Sequence, residues 1–368
     1  MTGAPDFAAV RRLLIFRTGS IGDTVVALPS FHLLRRAFPN AERRVLTNFP
    51  INSAAAPLQS VLGEAGFVHG YIRFPLAIRH PRRLLALRRE ISGWAPDCGV
   101  YLRERRGPLQ VMRDIGFMRL CGVPRVFGAD LNGDLARYRG PDGDGKWESE
   151  ASRLARCLAP IGDARIDDPT SWDLMFSAAE EAEAARLLAG WPGRRRFAVF
   201  AAGAKIAFKE WGDEKWRQVL SGLAETAPDL GLVLVGATGD EARSEAIAAS
   251  WRGPVLNLCG RCTPRISALT IRGAVLLLCH DSGPMHLAAS VGTPAVAVFS
   301  THSHPGIWFP FGRRHRVFYP GLAWSGGDPP VRRKAAGEHN ITQIPADQVL
   351  DAARSLLAHA PAAGRTAG

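Results

Sequence analysis

The turn Arg17-Thr-Gly-Ser-Ile-Gly-Asp23 sets a carboxylate beside two glycines, directly after a short apolar segment. Such glycines let the backbone approach a ligand closely, and the start of the helix that follows favours anions. The spacing is Gly-x-x-Gly, not the Gly-x-Gly-x-x-Gly of dinucleotide-binding proteins, and no matching distal acid follows. Two roles therefore stay open for Asp23 from its position: a reactive carboxylate, or a cap of the helix, which aspartate performs well.

A second candidate is His280-Asp-Ser-Gly-Pro-Met-His286, which follows the apolar stretch 275–278 and opens a helix of small residues. In a parallel sheet this is the carboxyl end of a strand, where open α/β sheets bind ligands. The backbone N–H groups of Ser282 and Gly283 would face a diphosphate. A simple Ser-Gly-Pro cap is the alternative, but Asp281 and His286 have no evident role in a core. The histidines of this region fit no zinc spacing, so we expect no metal.

Two weaker motifs lie between these segments. The stretch Gly203-Ala-Lys-Ile-Ala-Phe-Lys-Glu-Trp211 carries two lysines in a chain dominated by arginine, and either lysine could pair with a phosphate. Alternatively, both are exposed loop residues. Cys259-Gly-Arg-Cys262 has the spacing of a redox or metal motif, but without a second pair we interpret it as two incidental thiols.

Strands that alternate with helices position these motifs and predict parallel α/β sheets. The first half contains the strand candidates 12–16, 44–47, 71–74 and 98–102, with helical spacing of apolar residues over 23–38. The second half contains the strand candidates 197–200, 231–235, 255–258, 274–279 and 294–299. A connection is expected from about residue 160, and an amphipathic helix over 346–359 before a frayed tail.

Charge is unevenly distributed along the 368 residues, a length that suggests two domains. Residues 1–160 hold 24 Lys and Arg against 14 Asp and Glu, whereas the rest of the chain holds 22 against 20. A basic surface attracts anionic partners such as phosphorylated glycolipid, an anionic membrane face or nucleic acid. Six scattered cysteines, with no recognisable leader or apolar span, favour reduced thiols and a cytoplasmic protein.

Residues 13–29, Leu-Leu-Ile-Phe-Arg-Thr-Gly-Ser-Ile-Gly-Asp-Thr-Val-Val-Ala-Leu-Pro, closely resemble the opening motif of glycosyltransferase family 9, the bacterial lipopolysaccharide heptosyltransferases. Lys209-Glu-Trp211, the turn 257–260 and the segment 281–289 resemble three further motifs of that family, in the same order. The resemblance implies a GT-B fold, in which two Rossmann-like parallel-sheet domains face each other across a cleft. Residues 1–165 would bind the acceptor and 166–345 the donor, and a C-terminal helix with its tail, 346–368, could pack back on the first domain.

The resemblance further implies an inverting, metal-independent glycosyltransferase that moves a sugar, such as heptose from ADP-heptose, onto a lipopolysaccharide core or related acceptor. Asp23 would be the catalytic base that removes a proton from the acceptor hydroxyl. Asp240 and Glu241 are equally placed to hold the ribose, and Glu241 is the first choice. The residues assigned to the donor are Gly203, Lys205, Lys209, Glu241, Cys262, Thr263, Asp281, Ser282, Gly283 and His286. The residues assigned to the acceptor are Gly19, Ser20, Gly22, Arg103, Arg106 and Arg113.

No cofactor is expected beyond a nucleotide-sugar co-substrate, with ADP as the first choice of nucleotide. The expected partners are this donor, an anionic glycolipid acceptor and the cytoplasmic face of the membrane, with no nucleic acid. The turn 201–204 has fewer hydroxyl groups than is usual in the family, which weakens the heptose assignment more than the transferase assignment. Two alternatives remain: a sugar-nucleotide epimerase or hydrolase on the same fold, and a non-catalytic basic protein that binds membrane or nucleic acid.

Overall fold

The computed structural model describes residues 6–49, 56–75, 81–129, 133–192, 196–204, 206–320 and 340–359. The chain divides into two units. The first contains Met1–Arg139 and Glu148–Met175, and the second contains Gly140–Trp147 and Phe176–Gly368. Lys205, one of the residues assigned to the donor, lies outside the described residues.

Within the described residues, the first unit forms a five-stranded sheet in which the paired strands are parallel. Its strands are β1 (Arg12–Phe16), β2 (Glu42–Asn48), β3 (Gly70–Phe74), β4 (Cys98–Tyr101) and β5 (Val126–Phe127). The strand order is β3-β2-β1-β4-β5, so the chain builds outward on one side of β1 and then returns to its other side. The turns after β1 and β4 therefore flank the point where the strand order reverses, which is where open α/β sheets bind ligands.

Helices cover both faces of this sheet, which is why β1 is apolar and buried over residues 13–16. They are α1 (Ile21–Val25), α2 (Leu28–Ala37), α3 (Gln59–Leu62), α4 (Pro81–Trp94), α5 (Pro108–Leu120) and α6 (Glu150–Leu158). The stretch 23–38, which the sequence predicted as helical, is divided between α1 and α2 because Pro29 has no N–H to donate to the carbonyl four residues earlier. Helices α4 and α5 pack on the face that carries Leu14 and Phe16.

The second unit repeats this topology in a six-stranded parallel sheet, again counted over the described residues. Its strands are β6 (Phe197–Ala201), β7 (Gly231–Leu234), β8 (Val255–Asn257), β9 (Leu276–His280), β10 (Ala295–Val298) and β11 (Arg316–Phe318). The strand order is β11-β10-β9-β6-β7-β8, and the reversal lies between β6 and β9. The turns after these two strands carry the lysine motif and the 281–286 segment.

The helices of the second unit are α7 (Ala178–Leu187), α8 (Asp213–Thr226), α9 (Glu241–Ala248), α10 (Pro264–Arg272), α11 (Gly283–Ser290) and α12 (Ala346–Ala358). The last helix, α12, packs against α8 and buries Val349 and Leu356 in the core of the second unit. From the sequence, packing of this helix on the first unit was one expectation. In the structure its apolar side lies in the core of the second unit, where it joins Trp216 and Leu220 of α8.

The unit boundary also differs from the predicted division after residue 165. The first unit extends to Met175 because the connection is fixed to α2: a ring nitrogen of His32 lies 2.8 Å from the carbonyl oxygen of Asp173. Residues 140–147, expected as a loop of the first half, belong to the second unit. There the Trp147 N–H donates to the carbonyl oxygen of Pro305, and its ring stacks on His304 at 4.4 Å.

A membrane-spanning helix would need about twenty apolar residues, and none of the described helices meets the combined requirement of length and apolarity.

Candidate functional site

The turn after β1 folds the Asp23 side chain back onto its own beginning. Oδ2 of Asp23 accepts hydrogen bonds from the Ser20 backbone N–H at 2.8 Å and from the Ser20 hydroxyl at 3.2 Å. Gly19 has φ +122°, and a Cβ there would lie only 2.3 Å from the Cβ of Asp23. A side chain at position 19 would therefore displace Asp23. Asp23 does cap the helix start, and within the described residues it forms no ion pair, so Oδ1 is not engaged by a cation.

A buried arginine holds this turn from behind. The Arg17 side chain is fully buried, and its guanidinium donates to the backbone carbonyl oxygens of Asp23 and Leu102. It also lies 3.6 Å from Oε1 of Glu150, which is equally buried and is bound by Arg153 at 2.7 Å. The arrangement ties the ends of β1 and β4 to α6 and fixes the backbone that carries Asp23.

The turn after β4 places two of the predicted acceptor residues around a carboxylate. Glu104 accepts from Arg103 at 3.0 Å, from Arg106 at 2.6 Å and from the Thr18 hydroxyl at 2.9 Å. Burial alone would raise the pKa of Glu104, but the two arginines outweigh it and lower the pKa well below its usual range. Thr18 joins this cluster to the Asp23 turn. Arg113 lies apart on α5 and pairs with Asp114.

The second unit brings together two residues that are 72 positions apart. The Lys209 ammonium lies 2.6 Å from Oδ2 of Asp281, with both side chains largely buried. Lys209 comes from the turn after β6 and Asp281 from the turn after β9, and these strands are neighbours. Glu210 is turned away and pairs with Arg243 at 2.6 Å.

His280 anchors the lysine turn from within the core. Its Nε2 accepts from the Trp211 backbone N–H and from the Trp216 indole N–H, both at 3.0 Å. Burial lowers the pKa of His280 to about 3, so the ring is neutral and can accept both bonds. Trp211 is fixed in turn by donating its indole N–H to the Ile344 carbonyl oxygen. His280 therefore has a core role that sets the position of Lys209.

The 281–286 segment forms the start of α11. Ser282 is the N-cap residue, Gly283 is the first helical residue and Pro284 follows. Pro284 has no N–H, and the Met285 N–H donates to the Ser282 carbonyl oxygen at 3.2 Å, so the N–H groups at the helix start are those of Ser282 and Gly283. The helix dipole is positive at this end. His286 is buried on the same helix, with its ring 6.3 Å from that of Trp308.

Asp240 and Glu241 both accept backbone N–H groups of the turn after β7. Oδ2 of Asp240 accepts from the Ala237 N–H at 2.8 Å, and a Cβ on Gly203 would come within 2.6 Å of the same oxygen. Asp240 therefore stabilises its own turn and lies against the turn after β6. Oε2 of Glu241 accepts from the Gly239 N–H, while its Oε1 lies beside Gly260.

The Cys259–Cys262 pair contains no disulfide. Burial raises the pKa of Cys262 to about 11, so its thiol is protonated and apolar in character. Thr263 is exposed and caps α10 by accepting from the Ile266 N–H at 3.3 Å. Both residues follow β8, beside the turn that holds Glu241.

Residues 158–322 match the family model described as glycosyltransferase family 9 (heptosyltransferase). This matched stretch covers 165 of the 368 residues. It contains the Lys209–Asp281 pair and the start of α11, so the family resemblance inferred from the motifs is confirmed. Lipopolysaccharide heptosyltransferase 3 of Escherichia coli (strain K12) is 29% identical over 177 residues, which cover 46% of this chain and 49% of that protein. The chain thus spans about half the length of the curated relatives it matches.

Two solved structures resemble the whole chain. The family 9 glycosyl transferase of Veillonella parvula DSM 2008 has a TM-score of 0.73 at 18% identity, covering 97% of this chain and 99% of that one. The E. coli heptosyltransferase WaaC with ADP has a TM-score of 0.62, also at 18% identity, covering 94% and 99%. Together with the two parallel sheets, these likenesses confirm the predicted GT-B class.

Each unit thus gathers part of the predicted site at its own point of reversal. Asp23, Gly19, Ser20 and Arg103 are drawn together in the first unit, and Lys209, Asp281 and Ser282 in the second. Sequence reasoning missed the roles of Arg17, Glu104 and Glu150. The available signal for Arg17 was a charged residue directly after an apolar strand. No group of three or more His, Cys, Asp and Glu side chains suited to a metal occurs in the part of the chain that the structure describes.

Proposed function

We propose that this chain is an inverting glycosyltransferase that moves a sugar from a nucleotide sugar, with ADP-heptose as the first candidate, onto a lipopolysaccharide-core or related glycolipid. The observation that carries the proposal is the Lys209–Asp281 pair beside the start of α11, inside the family 9 stretch. The pair places a cation and a carboxylate beside the N–H groups of Ser282 and Gly283, at the point of strand reversal.

Lys209 and the start of α11 suit the diphosphate of the donor. Transfer releases a nucleoside diphosphate whose bridging oxygen gains negative charge, and a fixed cation with backbone N–H groups lowers the cost of that charge. Lys209 is already paired with Asp281, so the site is close to neutral before the donor binds. A diphosphate would draw the ammonium toward itself and leave Asp281 to accept a hydrogen bond from a sugar hydroxyl. Because the protein itself supplies this charge, the proposed mechanism requires no metal.

Asp23 suits the base of the reaction. An alcohol is a weak nucleophile until its proton is taken by a positioned group. Ser20 binds only Oδ2 of Asp23, and Oδ1 can receive the proton. The acceptor oxygen then bonds to the anomeric carbon as the bond from that carbon to the phosphate oxygen breaks, and attack from the opposite side inverts the configuration.

The arginines around Glu104 suit an anionic acceptor. Arg103 and Arg106 share one carboxylate, which leaves one positive charge in excess beside the Asp23 turn. A phosphorylated glycolipid would supply the matching negative charge, and such an acceptor would keep the protein at the cytoplasmic face of the membrane.

The experiment is to incubate the protein with ADP-heptose and extracted core glycolipid, then determine product mass and anomeric configuration. We expect a glycolipid heavier by one sugar, with inverted configuration and with turnover unchanged by EDTA. Incubation with donor alone separates the alternatives, since free sugar or an isomerised donor would identify a hydrolase or an epimerase. A panel of other nucleotide sugars tests the choice of donor, and failure with all of them would refute the proposal.

A further inference from the structure

The outer surface of α4 and α5 in the first unit carries apolar side chains among arginines. Both helices pack on one face of the sheet, and Nε of Arg88 on α4 donates to the Leu120 carbonyl oxygen at the end of α5 at 2.9 Å. The two helices therefore lie side by side. The exposed residues of Pro81–Trp94 and Pro108–Leu120 form one layer, which we call the α4–α5 surface.

Helix α5 is apolar on two opposite sides. Val111 and Met118 are buried against the sheet, whereas Leu109, Met112 and Leu120 are 78%, 48% and 67% exposed. At 100° per residue, positions 109, 112 and 120 share the side of the helix opposite the buried pair. A helix that only covers its sheet needs one apolar side. A second apolar row that faces solvent marks an interaction site.

Helix α4 adds to the same layer. All six residues of its first turns, 81–86, are exposed, including Leu84 and Leu85 at 42% each. Helix α4 follows β3 and helix α5 follows β4, so both begin at the carboxyl edge of the parallel sheet. The Asp23 turn lies at that edge, and the α4–α5 surface therefore reaches the edge that carries the proposed base.

The charges on this surface are almost all positive. Among the described residues of α4 and α5, Glu90 is the exposed acid, since Asp114 is buried and hydrogen-bonded to the Tyr101 hydroxyl. The exposed cations of the two helices are Arg82, Arg83, Arg88, Arg89, Arg113 and Arg119. Leucines flanked by arginines are the composition of helices that lie in the interface of an anionic membrane. The cations bind lipid phosphates while the apolar side chains enter the acyl boundary.

We propose that the α4–α5 surface docks this protein on an anionic phospholipid bilayer. The docking proposal rests on the proposed function in one respect, the lipid-anchored acceptor. A docked protein would receive the sugar of such an acceptor at the sheet edge that carries Asp23. Binding to lipid is itself independent of transfer, so the two can fail separately.

The test is flotation of the full chain with vesicles of phosphatidylcholine alone or with one third phosphatidylglycerol. We expect binding that requires phosphatidylglycerol and weakens as salt increases. Removing two cations, in Arg89→Gln with Arg119→Gln, should lower the partition coefficient roughly 25-fold, about fivefold for each charge. Leu109→Gln with Leu120→Gln should lower it roughly tenfold or more.

Matched controls come from the second unit. Arg186 and Arg252 are 69% and 76% exposed, each within 4 Å of a glutamate, and their double change to Gln should leave the partition within twofold. Val255→Gln serves as the control for an exposed apolar residue. Transfer to a deacylated, water-soluble acceptor should be unchanged in the α4–α5 variants, which shows that they fold.

Three results would overturn the docking proposal: no flotation with anionic vesicles, equal flotation with neutral vesicles, or flotation unaffected by the α4–α5 variants. Dimerisation of the wild type that the leucine variant abolishes would assign the surface to a second copy instead. If flotation behaves as expected but no sugar is transferred, the proposed function fails and the membrane surface stands.

Discussion

At the end of β1, the first unit buries a cation behind its carboxylate, whereas the second unit places a cation directly against its carboxylate. Arg17 holds only backbone oxygens and the buried Glu150, so it fixes the turn and leaves Asp23 without an ion pair among the described residues. Lys209 meets Asp281 at 2.6 Å in a pair that keeps some exposure. The same topology thus yields a carboxylate that can take a proton in one unit and a cation that can be drawn to an anion in the other.

Replacement of the two carboxylates gives the largest expected contrast. Asp23→Asn keeps an acceptor for the Ser20 N–H but removes the base, so turnover should fall roughly 10²- to 10⁴-fold with little change in donor affinity. Asp281→Asn should mainly weaken donor binding. Single-turnover rates and titration with ADP separate the two effects.

The control for the first change is Asp97→Asn, since Asp97 also accepts backbone N–H bonds but lies away from the turn. Near-native turnover of Asp23→Asn in an active preparation would remove Asp23 from the mechanism.

A methyl group at Gly19, in the turn after β1, and at Gly203, in the turn after β6, should also have unequal effects. Gly19→Ala combines φ +122° with a contact of 2.3 Å to the Cβ of Asp23, and should cost about 2–4 kcal/mol of unfolding free energy and most of the activity. Gly203→Ala meets the end of the Asp240 side chain at 2.6 Å, which can rotate, and should cost roughly 1 kcal/mol. Urea unfolding measures both, and equal costs would contradict the geometry.

Loss of the lysine should affect binding more than stability. Lys209→Met leaves Asp281 without its cation and the proposed diphosphate site without its point charge, so ADP affinity should fall roughly tenfold to a hundredfold. Isothermal titration measures this, with Lys215→Met as control, because Lys215 donates to backbone carbonyl oxygens near α12 instead. Unchanged ADP affinity in Lys209→Met would place the nucleotide elsewhere.

Acid should loosen the second unit through His280, and this is the smallest effect. Burial lowers the pKa of His280 from 6.5 to about 3, with Arg243 also opposing protonation and Asp213 favouring it. Between those pH values the unfolded chain binds a proton that the folded chain does not. The free energy of unfolding is therefore unaffected by His280 above pH 6.5 and falls below it, by roughly 1 kcal/mol per pH unit.

Hydrogen exchange of β9 against β1 from pH 7 to 4 measures this loss by region. His280→Gln should flatten the dependence, while a change of the exposed His359 to Gln should not. A steeper loss of protection from exchange in β1 than in β9 would contradict this prediction.

Local patterns predicted most of the two sheets. Apolar runs such as 12–16 and 197–200 are confirmed as β1 and β6, and the family motifs lie at strand ends as expected. The two-residue β5 and three-residue β11 escaped notice because such short segments carry no periodic signal. The division of 23–38 into two helices was signalled by Pro29 but outweighed by the helical spacing around it.

The sequence placed the candidate residues at strand ends but could not predict which of them would pair. Lys209 meets Asp281 only because β6 and β9 are neighbours, a fact of topology that neither motif contains. Asp240 and Glu241 were equivalent by spacing. In the structure both accept an N–H of the same turn, but Asp240 lies against Gly203 and Glu241 lies against Gly260. The burial of Arg17 and Glu150 depends on α6, which lies more than 120 residues beyond β1 in the chain.

Residues 140–147 give the chain three passages between its units, at 139–140, 147–148 and 175–176. A single cut after Met175 would therefore not yield two separate domains. The N-terminal fragment would retain Trp147. The C-terminal fragment would lose segment 140–147, in which the Trp147 ring stacks on His304 and the Trp147 N–H donates to the Pro305 carbonyl oxygen. Co-expressed fragments should reassemble through segment 140–147. An independently folding second unit would need residues 140–147 restored by circular permutation.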